Sequence, residues 1–207
     1  MSNSSPVEST YHDHTRFTLI ERVKRQYDEV AWKEFAGIYK GYIYAVIRNL
    51  AMSEHDAEEV HQKVMVKLWE KLPTLDTRQI RRFRSYLAAV AKDEVKQFIR
   101  TRERRMEREM KSLEAGESDY LSSIRLPEIE QIAEEEWKVH LTNLAFKTIE
   151  GSFSKKAIQV FRLSVEGMSP EEVAERTGVA RASIATLKAR VKTRFFKEIE
   201  LLREDLE

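Results

Sequence analysis

"SPEEVAERTGVARASIATLKARV", Ser169 to Val191, carries its own punctuation. Ser169 is suited to cap a helix, Pro170 to occupy its first position, and Glu172 to close a capping box. Gly178 can supply the positive φ of a tight inter-helix turn, and Ala174 before it lets two helices cross closely. Ile184 and Leu187 then fall where a second helix must turn apolar groups inward. The stretch reads as a helix-turn-helix, so the fold expected around it is helical.

At 100° per residue, Ile184, Leu187, Val191 and Phe195 share one side of the second helix. Ala182, Thr186, Ala189 and Thr193 lie opposite, with Ala185 beside them. Arg181 and Lys192 border this face on one flank, Ser183 and Arg190 on the other. Thr177 to Lys197 holds Arg181, Lys188, Arg190, Lys192, Arg194 and Lys197 and no acid. A low-profile face edged by cations can sit deep in a DNA major groove while its flanks reach phosphates. The alanines then give clearance and methyl contacts with thymine. The candidate set is Arg181, Ala182, Ser183, Ala185, Thr186, Ala189, Arg190 and Lys192.

The whole chain of 207 residues is nearly neutral, with 36 Lys+Arg against 35 Asp+Glu. That balance hides segregated charge. Residues 78–111 carry a strong basic excess, and the following residues 112–136 a strong acidic one. "SLEAGESDYLSSIRLPE" in the acidic part breaks helical periodicity and reads as a linker. The expectation is an all-α chain of two small helical domains. A disordered tail covers 1–14, a first domain 15–111, a flexible acidic linker 112–135, and a second domain of four short helices 136–207. Cysteine is absent, so disulfides and thiolate metal sites are excluded. No apolar run approaches the roughly 18 residues of a membrane helix, and no signal peptide is evident. A cytoplasmic location without membrane insertion is therefore expected.

The first domain has faces of its own. Ser53 is a candidate N-cap, with Asp56 at the capping-box position, for a helix running to Leu72 and stopped by Pro73. Ala57, Val60, Val64, Leu68 and Leu72 form its buried side. Asp56, Glu59, Gln62, Lys63, Val66 and Trp69 are the candidates for an outward docking face, since an exposed Trp suits an interface anchor. A long helix from about Arg82 to Lys111 should bury Phe83, Leu87, Val90, Ala91 and Phe98. Its other side presents Arg82, Ser85, Ala89, Lys92, Lys96 and Arg100, with Asp93 beside them and Tyr86 at the edge, where an aromatic can stack on a base.

These pieces together resemble the bacterial extracytoplasmic-function RNA polymerase sigma factors. "DAEEVHQKVMVKLWEKL" resembles the signature by which the family's second region docks on the clamp helices of the polymerase's largest subunit. "FRSYLAAVAKDEVKQFIRTRERR" resembles the segments that melt and read the −10 element. "LSVEGMSPEEVAERTGVARASIATLKARVKTRF" resembles the fourth region, whose helix-turn-helix binds the −35 element. The resemblance implies core RNA polymerase as a partner, through the largest and second-largest subunits, with promoter DNA and an anti-sigma factor as further candidates. It departs from the family pattern at Lys63, where Glu is common, at Asp93, where Asn is common, and at Ala185 to Leu187, where basic residues are usual.

Three other readings compete. A stand-alone helix-turn-helix regulator leaves the outward Trp face without a role. A helical adaptor leaves both basic stripes unexplained. An enzyme lacks support: the five histidines show no metal-ligand spacing, and there is no nucleophile elbow, P-loop or dinucleotide fingerprint. No cofactor or metal is expected.

Overall fold

The computed structural model describes residues 15–25, 27–50, 52–110 and 129–206. The tail expected over 1–14 and most of the expected linker lie outside them. Every regular element among the described residues is a helix, so the all-α expectation holds. The helices are α1 (Thr15–Val23), α2 (Glu29–Asn49), α3 (Glu54–Lys71), α4 (Phe83–Met110), α5 (Ile129–Glu150), α6 (Lys155–Val165), α7 (Pro170–Thr177) and α8 (Arg181–Leu206). The chain divides into two compact units, Met1–Lys138 and Val139–Glu207. The division falls inside α5.

In the first unit α2 is the central helix. Ala31, Phe35, Tyr39, Tyr42, Ile43, Val46 and Ile47 are buried along it, a stripe with the three- and four-residue spacing of one helix face. Asp28 caps it by accepting from the Ala31 N–H at 2.8 Å. That bond, followed by the one from Arg22, holds the Asp28 carboxyl below its ordinary range. In α3 the Ser53 hydroxyl accepts from the Asp56 N–H at 3.1 Å. Asp56 does not complete the expected box: its carboxylate turns outward and takes Arg102 at 2.9 Å. Pro73 follows in a 3₁₀ turn, Leu72–Thr74.

Helix α4 buries Phe83, Leu87, Val90 and Ala91 as expected, and Ala88 and Val95 with them. Phe98 differs from expectation, being half-buried. The Lys63 ammonium lies 5.1 Å from its ring centroid, so a cation covers what the core does not. Two charged residues of α4 are buried, Arg84 and Glu94. Burial of a charge requires a partner, and Glu94 has Lys67 while Arg84 has Glu134 at 3.0 Å.

Residues 129–135 were expected in the linker but form the start of α5. Ile132, Ala133 and Trp137 are buried in the first unit, and their spacing is that of one helix stripe. Trp137 stacks on Tyr39 at 6.3 Å between centroids and meets Tyr42 edge-on at 5.2 Å.

The second unit contains the remainder of α5 with α6, α7 and α8. The expected four helices are present, but α5 and α8 are long, at 22 and 26 residues. One core cluster joins Ala145, Ile149, Ala157, Ile158, Phe161, Val191 and Phe195. A second joins Val160, Val173 and Ile184, which ties α7 to both neighbours and fixes the start of α8.

Candidate nucleic-acid and docking surfaces

The turn between α7 and α8 is built by local chemistry. Ser169 Oγ accepts from the Glu172 N–H at 3.3 Å, and Glu172 Oε2 accepts from the Ser169 N–H at 2.8 Å. The Ser169 N–H is the largest cause of the lowered Glu172 pKa. Gly178 adopts φ 65°, in the left-handed region, and its N–H donates to the Ala174 carbonyl at 2.9 Å. A residue with a Cβ is strained in that conformation. The buried Thr177 hydroxyl donates to the Val173 carbonyl at 2.7 Å.

These constraints settle the rotation of α8. Ile184, Val191 and Phe195 are buried and Leu187 is half-buried. Arg181, Ala182, Ser183, Ala185, Thr186, Ala189, Arg190 and Lys192 are all exposed. Arg181 pairs with Glu171 of α7, an acid the sequence reading did not single out. Lys188 was also passed over. It is exposed and lines a groove of about 640 Å³ with Arg181, Ala182 and Ala185 at the start of α8.

Arg82 just before α4 and Ser85, Ala89, Asp93, Lys96 and Arg100 on it are exposed, while Tyr86 and Lys92 are half-buried. The Tyr86 ring packs on Phe83 at 5.8 Å, and burial raises its phenol pKa. One edge of this ring is therefore core and the other is available. Arg82 has Glu134 at 3.7 Å. A cleft of about 520 Å³ runs along this end of α4, lined by Arg81, Arg82, Ser85 and Tyr86 on one side and Glu130 and Glu134 on the other. The contribution of α5 to this cleft was missed. The signal lay in the Ile132, Ala133, Trp137 spacing, which the high acid content obscured.

On α3, Glu59, Gln62, Lys63, Val66 and Trp69 are exposed and Asp56 is partly covered. Val66 is 57% and Trp69 42% exposed, unusual for large apolar side chains on a helix whose opposite side is fully buried. Lys63 donates to Glu59 at 2.6 Å. With Phe98 beneath it, this Lys is satisfied within its own unit.

Among the described residues no group of His, Asp and Glu is placed to hold a metal ion. No helix there is long and apolar enough to cross a membrane. The described surfaces present cationic, polar and aromatic faces.

Comparison with known proteins places a name on part of this arrangement. Residues 36–105 match the family model for Sigma-70 region 2, an interval running from α2 through most of α4. No curated protein sequence matches the chain. Among solved structures it is similar to one described as "Structure of CnrH in complex with the cytosolic domain of CnrY", at 16% identity and a TM-score of 0.36, covering 91% of this chain and 98% of that one. Over residues 36–105 the family match bears out the sigma-factor resemblance read from the sequence.

Proposed function

We propose that this chain works as an extracytoplasmic-function sigma factor, docking on core RNA polymerase to start transcription at selected promoters, a reading supported by the match of residues 36–105 to Sigma-70 region 2. Helix α3 is the docking element, with Val66 and Trp69 as anchors on the clamp helices of the largest subunit. Helix α4 meets the −10 element through Arg82, Ser85, Tyr86, Ala89, Lys92, Asp93, Lys96 and Arg100. Helix α8 enters the −35 major groove. The second-largest subunit is the further polymerase contact, and an anti-sigma factor is a candidate regulator. Such a protein acts in the cytoplasm and performs no catalysis of its own.

One observation carries the reading. The interval matched to region 2 contains both the exposed Val66–Trp69 face and the basic stripe of α4, on two helices packed against one core. Phosphate contacts from Lys and Arg would position the protein on DNA, while groove-facing and base-facing groups would select sequence.

The specificity of α8 should rest on few side chains. Its groove face is mostly Ala and Thr, so Arg181 is the best candidate for a direct base contact, helped by the shape of the duplex. Arg190 and Lys192 flank the face and would grip phosphates.

Titrating fluorescently labelled protein with core RNA polymerase tests the reading. Saturable binding that promoter DNA strengthens is expected. A protein that binds a duplex sequence-specifically yet ignores polymerase would instead be a stand-alone helix-turn-helix regulator.

A further inference from the structure

Arg84 is a cation on the nucleic-acid helix that no DNA could reach in this structure. It is 5% exposed, its Nη2 donates to Glu134 Oε2 at 3.0 Å, and its guanidinium lies 5.8 Å from the Trp137 ring centroid. Both of these partners come from the head of α5. The same Glu134 carboxylate reaches Arg82 at 3.7 Å, and Arg82 is exposed and belongs to the proposed −10 stripe. One acid of α5 thus engages two cations two residues apart, Arg84 of α4 and Arg82 just before it.

We propose that residues 129–138, the head of α5, are an intramolecular cover on the nucleic-acid end of α4, with Glu134 in the place of a DNA phosphate. The inference rests on the reading of α4 as a DNA-binding helix. An arginine fork can donate to oxygens of a carboxylate or of a phosphate with the same geometry. The cleft beside it has donors on one wall, Arg81 and Arg82 just before α4 and Ser85 and Tyr86 on it, and acids on its α5 wall, Glu130 and Glu134. DNA entering that cleft would face two carboxylates opposite the arginines.

The cover is held by a limited set of contacts. The Tyr42 hydroxyl lies 3.1 Å from the Arg84 carbonyl and 3.4 Å from that of Ala133. Asn49 donates to Glu136 at 2.8 Å, and Trp137 sits on Tyr39 and Tyr42. These bonds seat a short helical segment preceded by the acidic, Ser- and Gly-containing stretch of residues 112–127. A terminal helical segment seated by three apolar side chains, Ile132, Ala133 and Trp137, and a few polar bonds can open below the global unfolding free energy. Release would uncover Arg84, free Arg82 and remove the acids from the cleft. The basic stripe would then be complete only when a competing anion or a partner has displaced the cover.

The test uses the full chain and a fluorescein-labelled, random-sequence single-stranded DNA 20-mer, followed by anisotropy at low salt. Glu134→Gln is compared with Glu135→Gln, which makes the same charge change one residue away at an exposed position. The cover predicts that Glu134→Gln tightens binding roughly fivefold, the scale of one ion pair, and that Glu135→Gln changes it less than about twofold. Hydrogen exchange should show residues 129–138 losing protection when the DNA is added to the natural sequence. Equal effects of the two substitutions, or a DNA complex in which 129–138 stay protected, would overturn the cover. Lys96→Ala with Arg100→Ala separates the two ideas, since these residues lie away from α5. If that pair weakens binding while Glu134→Gln behaves like Glu135→Gln, only the cover is wrong. If the pair changes nothing in either background, the reading of α4 fails and the cover falls with it.

Discussion

Arg102 Nη1 donates to Asp56 Oδ2 at 2.9 Å across 46 residues of sequence, pinning the far half of α4 to the first turn of α3. The helix proposed to meet DNA is thereby tied to the helix proposed to meet polymerase. Arg102 is well exposed, so the pair should add only about 0.5 kcal/mol to global stability. Its local effect should be larger. Arg102→Ala is expected to leave the melting temperature almost unchanged while amides of residues 100–106 exchange faster. Unaltered exchange there would mean that the pair restrains nothing.

The exposed Val66 and Trp69 should matter for docking and not for folding. Val66→Ala with Trp69→Ala is expected to stay within about 0.5 kcal/mol of the parent in denaturant unfolding, as for other surface changes. Polymerase binding should fall by roughly 2 kcal/mol or more, the scale for losing an aromatic anchor. Unfolding of the double variant would show that these side chains support the core.

Gly178→Ala tests the turn. The nearest atom to an added Cβ is Lys156 Nζ at 3.8 Å, so no clash follows. The cost is the backbone alone, about 1 kcal/mol for a left-handed residue with a side chain. Thermal unfolding of the second unit should move down accordingly. A melting temperature at or above the parent's would contradict the left-handed geometry.

Acid should loosen the head of α5. The Glu134 carboxyl is held below its ordinary value of 4.5, first by the hydrogen bond from Arg84, with Lys138 and Arg82 attracting it and burial opposing. A lowered folded pKa gives stability that is present above 4.5 and lost as pH falls through the lower folded value. With Trp32 and Trp69 replaced by Phe, the emission of Trp137 should shift to the red on acidification, in that window. Glu134→Gln should remove much of that pH dependence. A Trp137 signal insensitive to Glu134→Gln would show that other groups hold the segment.

How far the sequence could be read depended on how local each determinant was. The α7–α8 turn was legible because its parts lie within a few residues: Ser169 with Glu172, and Gly178 with Ala174. The buried stripes of α2 and α3 were legible for the same reason, since helical period orders them. Long-range pairs were not. The sequence does not announce that Asp56 prefers Arg102 to its own capping box, or that Lys63 finishes the cover of Phe98. Residues 129–135 were read as linker because they belong to the strongly acidic stretch of residues 112–136. Three apolar side chains at the right spacing outweighed the acids once Tyr39 and Tyr42 provided a surface to bury Trp137.

The central claim is that this chain gives polymerase its promoter choice. The most direct measurement is run-off transcription with core RNA polymerase, the purified protein and a library of randomised promoters, sequencing the templates that yield transcripts. Transcripts are expected only when both proteins are present, from templates sharing a −35 and a −10 motif at fixed spacing. Arg181→Ala should relax one −35 position at a cost of roughly 1–3 kcal/mol, and Asp93→Asn should shift the −10 motif. Initiation that is independent of the added protein, or that draws on templates with no shared motif, would contradict it.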